Sequence, residues 1–177
     1  MSEARSARSE RAERIVDPSF LAGVEDLSTD EIRGRRDEAH AELEFLSYLR
    51  RLIQSWQDML QAERSARGKP GNFRQPLAEV LSGQSQGASR GEAVRLQLAE
   101  DDMATAEAMV NGLLGDLAFA RLKELDEDAL DRGIETLDRE EKWISSDRAA
   151  VIRVHDRFQE ELKRRYREDP SQIPNEV

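Results

Sequence analysis

Leu43-Glu44-Phe45-Leu46-Ser47-Tyr48-Leu49-Arg50-Arg51-Leu52-Ile53-Gln54-Ser55-Trp56-Gln57-Asp58-Met59-Leu60 carries apolar residues at Leu43, Leu46, Leu49, Ile53, Trp56 and Leu60. Steps of three and four are the spacing of one apolar seam on an α-helix, as a coiled coil requires. The helix begins at a capping box, Ser28-Thr29-Asp30-Glu31, with Ser28 at the N-cap and Glu31 at N3. It is stopped by Gly68-Lys69-Pro70-Gly71. A helix over residues 29–67 is far longer than the globular norm and needs a partner helix.

That partner is written in the same chain. Ser47, Arg50 and Asp58 recur as Ser145, Arg148 and Asp156, each 98 positions further on. The same offset relates Leu27 to Leu125, Asp30 to Asp128, Ile32 to Leu130, Glu42 to Glu140 and Phe45 to Trp143. It continues through Leu46 and Ile144, Ile53 and Val151, Gln61 and Gln159, and Glu63 and Glu161. Asp126 takes the place of Ser28 and is as good an N-cap, so the second long helix is expected over 126–167, with Pro170 beyond its end.

The remaining organisation follows from composition. Residues 1–17 are Arg/Glu/Ser-rich and read as a disordered tail; 168–177 read as a polar, mobile tail. A short apolar patch, Pro18 to Val24, precedes the first long helix and is expected to pack on its own protein. Residues 68–98 gather Gly, Pro, Ser and Gln and read as a linker, with one or two helical turns at 76–81. A short helix over 101–116 starts with Asp101 and Asp102, whose charge suits a helix N-terminus. No strand pattern is visible. The fold class is therefore all-α: a long antiparallel helical hairpin with a shorter helix and a flexible central linker.

Charge and composition narrow the function. The chain has 177 residues, 36% of them charged and only 5% aromatic, which favours long charged helices over a large core. Its net charge of −10 disfavours direct contact with nucleic acid and favours basic protein partners. It contains no cysteine, which excludes disulfides, thiolate metal sites and a Cys nucleophile. No apolar run approaches the roughly 18 residues needed to span a bilayer, and no signal-peptide core is present. A cytoplasmic protein with no membrane contact is expected. The two histidines, His40 and His155, read as surface helix residues. No P-loop, nucleophile elbow or metal-ligand cluster appears, so neither catalysis nor a metal is expected.

Beside the seam runs a polar stripe. With Ser47 at zero on a helix turning ~100° per residue, Arg50 lies near ~300°, Gln54 near ~340° and Asp58 near ~20°. The stripe climbs ~16 Å. The second copy repeats it with Ser145, Arg148 and Asp156, joined by Glu141. One such stripe is usually a solvated flank or a row of interhelical salt bridges. Two copies in register call for more. Arg offers a planar fork for phosphate and a flat face for a base. Asp accepts two parallel hydrogen bonds, as guanine's N1–H and exocyclic amine supply. A ligand with two guanines would suit a duplicated stripe.

The stripe resembles the motif of the RsiG family of anti-sigma factors, E-x3-S-x2-R-x3-Q-x3-D on both helices of an antiparallel coiled coil. Here the second copy reads Glu141, Ser145, Arg148, Ile152, Asp156, with Ile152 in place of Gln. The first reads Leu43, Ser47, Arg50, Gln54, Asp58, with Leu43 in place of Glu and either Glu44, one residue on, or Glu42 as its substitute. The resemblance covers roughly residues 20–167. It implies a helical anti-sigma domain over 18–167 that binds cyclic di-GMP, as an intercalated dimer, through Glu44, Ser47, Arg50, Gln54, Asp58, Glu141, Ser145, Arg148 and Asp156. It implies, too, that the nucleotide-bound protein sequesters a sporulation sigma factor of the WhiG, flagellar-type class from RNA polymerase. Ile152 offers no hydrogen bond, so the two half-sites are expected to bind unequally. A constitutive coiled-coil adaptor with no small ligand is the competing expectation.

Overall fold

The computed structural model describes residues 10–67, 98–115, 117 and 119–173. Among them are five α-helices and no strand: α1 (Glu10–Val16), α2 (Pro18–Leu21), α3 (Thr29–Arg67), α4 (Glu100–Leu114) and α5 (Glu127–Glu168). Two short 3-10 turns, Phe119–Glu124 and Pro170–Gln172, complete the list. The fold class is all-α. The chain divides into two compact units, one of residues 1–48 with 143–177 and one of residues 49–142.

Both long helices start at built caps. Ser28 N–H donates to Glu31 Oε2 at 2.7 Å while Glu31 N–H donates to Ser28 Oγ at 3.2 Å, the reciprocal exchange of a capping box. Asp126 Oδ1 accepts from Ala129 N–H at 2.6 Å. These bonds satisfy donors that the first helical turn leaves open.

In the unit of residues 1–48 and 143–177, α3 and α5 run antiparallel: Arg33 Nε donates to Tyr166 Oη at 2.9 Å, and Arg148 Nε donates to Ser47 Oγ at 2.9 Å. Ile32, Ala39, Phe45 and Leu46 are buried here, as are Val151, Phe158 and Leu162. Burying one such large side chain contributes roughly 1.5–3 kcal/mol. Phe20 of α2 meets Phe158 edge-on, with centroids 5.7 Å apart, so the apolar patch at 18–24 packs on its own protein. Arg165 fastens the chain before α3 by donating to the carbonyls of Leu27 (2.6 Å), Glu25 (3.1 Å) and Val24 (3.2 Å).

Two sequence expectations are corrected in this unit. Residues 10–16 are not part of a disordered tail; they form α1, with Ala12 and Ile15 fully buried. An Arg/Glu-rich string hides this because its apolar residues are few, and the helix is held by charge. Arg11 pairs with Glu42, Arg14 pairs with Glu38, and the Arg11 guanidinium lies 5.6 Å from the Phe45 ring centroid. Residues 169–173 are likewise not free: Asp169 caps the turn Pro170–Gln172, and Gln172 bonds to Thr29 and, through its carbonyl, to Arg33.

In the unit of residues 49–142 the helices also run antiparallel, with Arg64 Nε 3.0 Å from Asp131 Oδ1 and Gln57 Nε2 donating to Asp138 Oδ1 at 2.6 Å. Leu49, Ile53 and Leu60 are buried, together with Leu130, Ile134 and Leu137 and with Ala106, Val110 and Leu114 of α4. Trp56, placed on the seam by its spacing, is only half-buried. Gly133 allows a close approach: a Cβ there would stand 2.8 Å from Leu117 Cδ1 and 3.1 Å from Leu60 Cδ1. Gly115 ends α4 with φ +50°, and its N–H donates to Asn111 O at 2.9 Å. The linker at 68–97, including the helical turns expected at 76–81, lies outside the described residues.

Candidate functional site

The nine candidate residues fall into two groups, one in each unit. In the unit of residues 1–48 and 143–177 stand Glu44, Ser47, Ser145, Arg148 and Asp156. Ser47 and Arg148 meet directly. The half-buried Ser47 hydroxyl donates to Leu43 O at 2.6 Å, one helical turn back, and accepts from Arg148 Nε at 2.9 Å. Its hydrogen is thus used within α3 and its lone pair holds the guanidinium in place. Glu44 lies 3.8 Å from His40 Nε2. Asp156 is exposed and lies 3.3 Å from Nδ1 of its neighbour His155. Ser145 is half-buried.

Sequence reasoning placed both histidines on helix surfaces and did not pair them. His40 is exposed, but its ring lies 5.8 Å from that of the half-buried His155, tilted by 38°. With no alternating pattern to mark a cross-helix pair, only the register of the hairpin could have found this contact.

In the unit of residues 49–142 stand Arg50, Gln54, Asp58 and Glu141. Glu141 Oε1 accepts from Arg50 Nε at 2.7 Å and from Gln54 Nε2 at 3.4 Å. Asp58 is exposed and makes no hydrogen bond or ion pair with the described residues. The structure therefore assembles Arg50, Gln54 and Glu141 across two helices and leaves Asp58 outside that cluster. Gln57 and Asp138, which sequence reasoning missed, form a second cross-helix bond in this unit.

Two buried carboxylates stand beside these groups: Glu42, weighed from the sequence as a substitute for the motif's glutamate, and Glu140, which sequence reasoning missed as a site. Glu42 is fully buried under Arg11, and Glu140, 98 positions on, is 5% exposed. Burial pushes the Glu140 carboxyl above its ordinary value, only partly offset by the Arg139 charge, and its Oε2 has no hydrogen-bond partner among the described residues. A signal existed: Glu42 shares the three-and-four spacing of Leu46, Leu49 and Ile53, so it sits on the seam itself. Glu161 differs. Hydrogen bonds from Arg164 and Arg165 outweigh its burial and pull its carboxyl down to about 2.

Chemically, one group offers a guanidinium beside hydroxyls and carboxylates and the other a guanidinium beside an amide and carboxylates, each fit for anions and for the edge of a purine base. Among the described residues, no cluster of three or more His, Asp or Glu is arranged to hold a metal ion, and no helix is long and apolar enough to cross a membrane. A cavity of about 410 Å³ opens where Ser28, Arg33, Ser171 and Gln172 meet, and none of the nine candidate residues lines it.

No curated protein and no solved structure matches the chain. Residues 18–81 match the model of a family described as RsiG-like. That segment holds the first copy of the stripe, Ser47, Arg50, Gln54 and Asp58. The match spans about a third of the chain, so this segment is similar to the RsiG-like family, a likeness that suggests an anti-sigma type of role.

Proposed function

We propose that the chain is a non-catalytic, cytoplasmic anti-sigma factor that binds cyclic di-GMP and, in the nucleotide-bound state, sequesters a WhiG-class, flagellar-type sigma factor from RNA polymerase. Glu44, Ser47, Arg50, Gln54, Asp58, Glu141, Ser145, Arg148 and Asp156 are the ligand-binding residues in this reading, and no metal takes part. The observation that carries it is the meeting of motif side chains across facing helices, Arg148 with Ser47 in one unit and Arg50 with Gln54 and Glu141 in the other. A solvated flank has no reason to direct a motif arginine at motif side chains of the facing helix twice. The acidic net charge of −10 favours encounter with basic partner helices.

Calorimetric titration of the purified chain with cyclic di-GMP, with GTP as control, tests the ligand. Pull-down of a purified flagellar-type sigma factor with and without cyclic di-GMP tests the coupling. Affinity for cyclic di-GMP no greater than for GTP would sink the nucleotide part. Arg50, Gln54 and Glu141 already satisfy one another, which is the observation that favours the adaptor reading. That reading requires equal sigma-factor capture with and without nucleotide.

A further inference from the structure

The two copies differ at positions that meet each other. Under the offset of 98, Glu141 corresponds to Leu43 and Gln54 corresponds to Ile152. In the unit of residues 49–142, Gln54 and Glu141 are bonded at 3.4 Å. In the other unit, the register is fixed by His40 beside His155 and Ser47 beside Arg148. Seven residues forward along α3 match seven residues back along α5, so Leu43 and Ile152 stand at one level. Both are half-buried. A polar pair has thus been replaced as a pair.

The exchange alters the charge state of one arginine and not the other. Arg50 is held by Glu141 at 2.7 Å. Arg148 has Leu43 where the repeat would supply that carboxylate, and among the described residues its bond is to the neutral Ser47 hydroxyl. A guanidinium carries five N–H donors, and this one spends a single donor on an oxygen without charge. A half-buried cation of this kind, positioned and not neutralised, is ready for an anion.

We propose that the half-sites are unequal in a definite order: Arg148 is the standing anion site that takes a phosphodiester group, whereas Arg50 becomes available only when Glu141 releases it. This rests on the cyclic di-GMP reading. The added carboxylate of Leu43→Glu then pairs with Arg148 and weakens cyclic di-GMP binding by roughly tenfold, the size of one charge-assisted hydrogen bond. Leu43→Gln, polar and of the same size, leaves the affinity within about twofold of the unaltered chain.

The experiment is calorimetry on the full chain and these two variants, with circular dichroism to confirm that each is folded. Equal or tighter binding by Leu43→Glu overturns the inference, as does equal weakening by Leu43→Gln. If the unaltered chain binds no cyclic di-GMP, the function proposed above fails, and the inequality is read separately with inorganic pyrophosphate. The Arg148 Nε–H resonance should then shift in a nitrogen-resolved NMR titration while that of Arg50 stays in place. Equal shifts of the two, or none at Arg148, overturn it.

Discussion

Arg148 reaches across to the facing helix and donates from Nε to the Oγ of Ser47, 2.9 Å away. The contact engages Nε, and the guanidinium makes no other hydrogen bond among the described residues. Replacing Arg148 by Ala should lower cyclic di-GMP affinity by about 10–100-fold, the worth of one or two charge-assisted hydrogen bonds. Lys at this position should recover little, because an ammonium lacks the planar fork. Calorimetry on the two variants checks both statements, and unchanged affinity for Arg148→Ala would remove this residue from the site.

Glu42 and Glu140 occupy corresponding positions in the two copies and should respond oppositely to loss of charge. Glu42 is buried against Arg11, so Glu42→Gln should destabilise the fold by about 1–3 kcal/mol. Glu140 has an oxygen with no hydrogen-bond partner among the described residues, so Glu140→Leu should be neutral or stabilising by about 1 kcal/mol. Urea unfolding of the two variants decides the matter. Destabilisation of similar size in both would show that Glu140 is as well compensated as Glu42.

Glu161 predicts an acid limit. Its folded carboxyl lies at about 2 against an ordinary value of 4.5, because Arg164 and Arg165 hold the charged form. A depressed value means stability that is complete above 4.5 and drains away as the pH falls towards about 2. Melting temperatures measured from pH 7 down to pH 2 should therefore decline below pH 4.5, and Glu161→Gln should flatten that decline. Glu140 acts with the opposite sign: its raised value makes the charge a burden at neutral pH, relieved on protonation.

Gly133 tests the packing of the unit of residues 49–142. A methyl group there would press to 2.8 Å from Leu117 and 3.1 Å from Leu60. Gly133→Ala gains helix propensity worth up to about 1 kcal/mol. It should nevertheless lose about 1–3 kcal/mol by overpacking. A higher melting temperature for the variant would show that Leu117 moves aside at little cost.

The long helices were legible because their signals are local. Ser28 with Glu31, and Asp126, announce the caps that the backbone then uses. Leu46, Leu49, Ile53 and Leu60 announce the buried seam. What stayed hidden is long-range. Arg11 looks like one more charge in a charged tail until Glu42 stands opposite it, and Gln172 looks like tail until Arg33 and Thr29 do. The candidate stripe was legible as a list of residues but not as contacts. Helix geometry puts Arg50 and Asp58 in one band, yet only the facing helix decides that Arg50 meets Glu141 while Asp58 stays with solvent.

The seven-residue helix Glu10–Val16 carries one further lesson. The family match opens at residue 18, yet the folded body opens earlier, because Arg11 supplies the counter-charge of Glu42 and Ile15 is fully buried. Trimming the protein to its recognisable family segment would therefore strip out an ionic clasp and a plug of core, and with them the footing of α3 at Glu42, on the N-terminal side of Ser47.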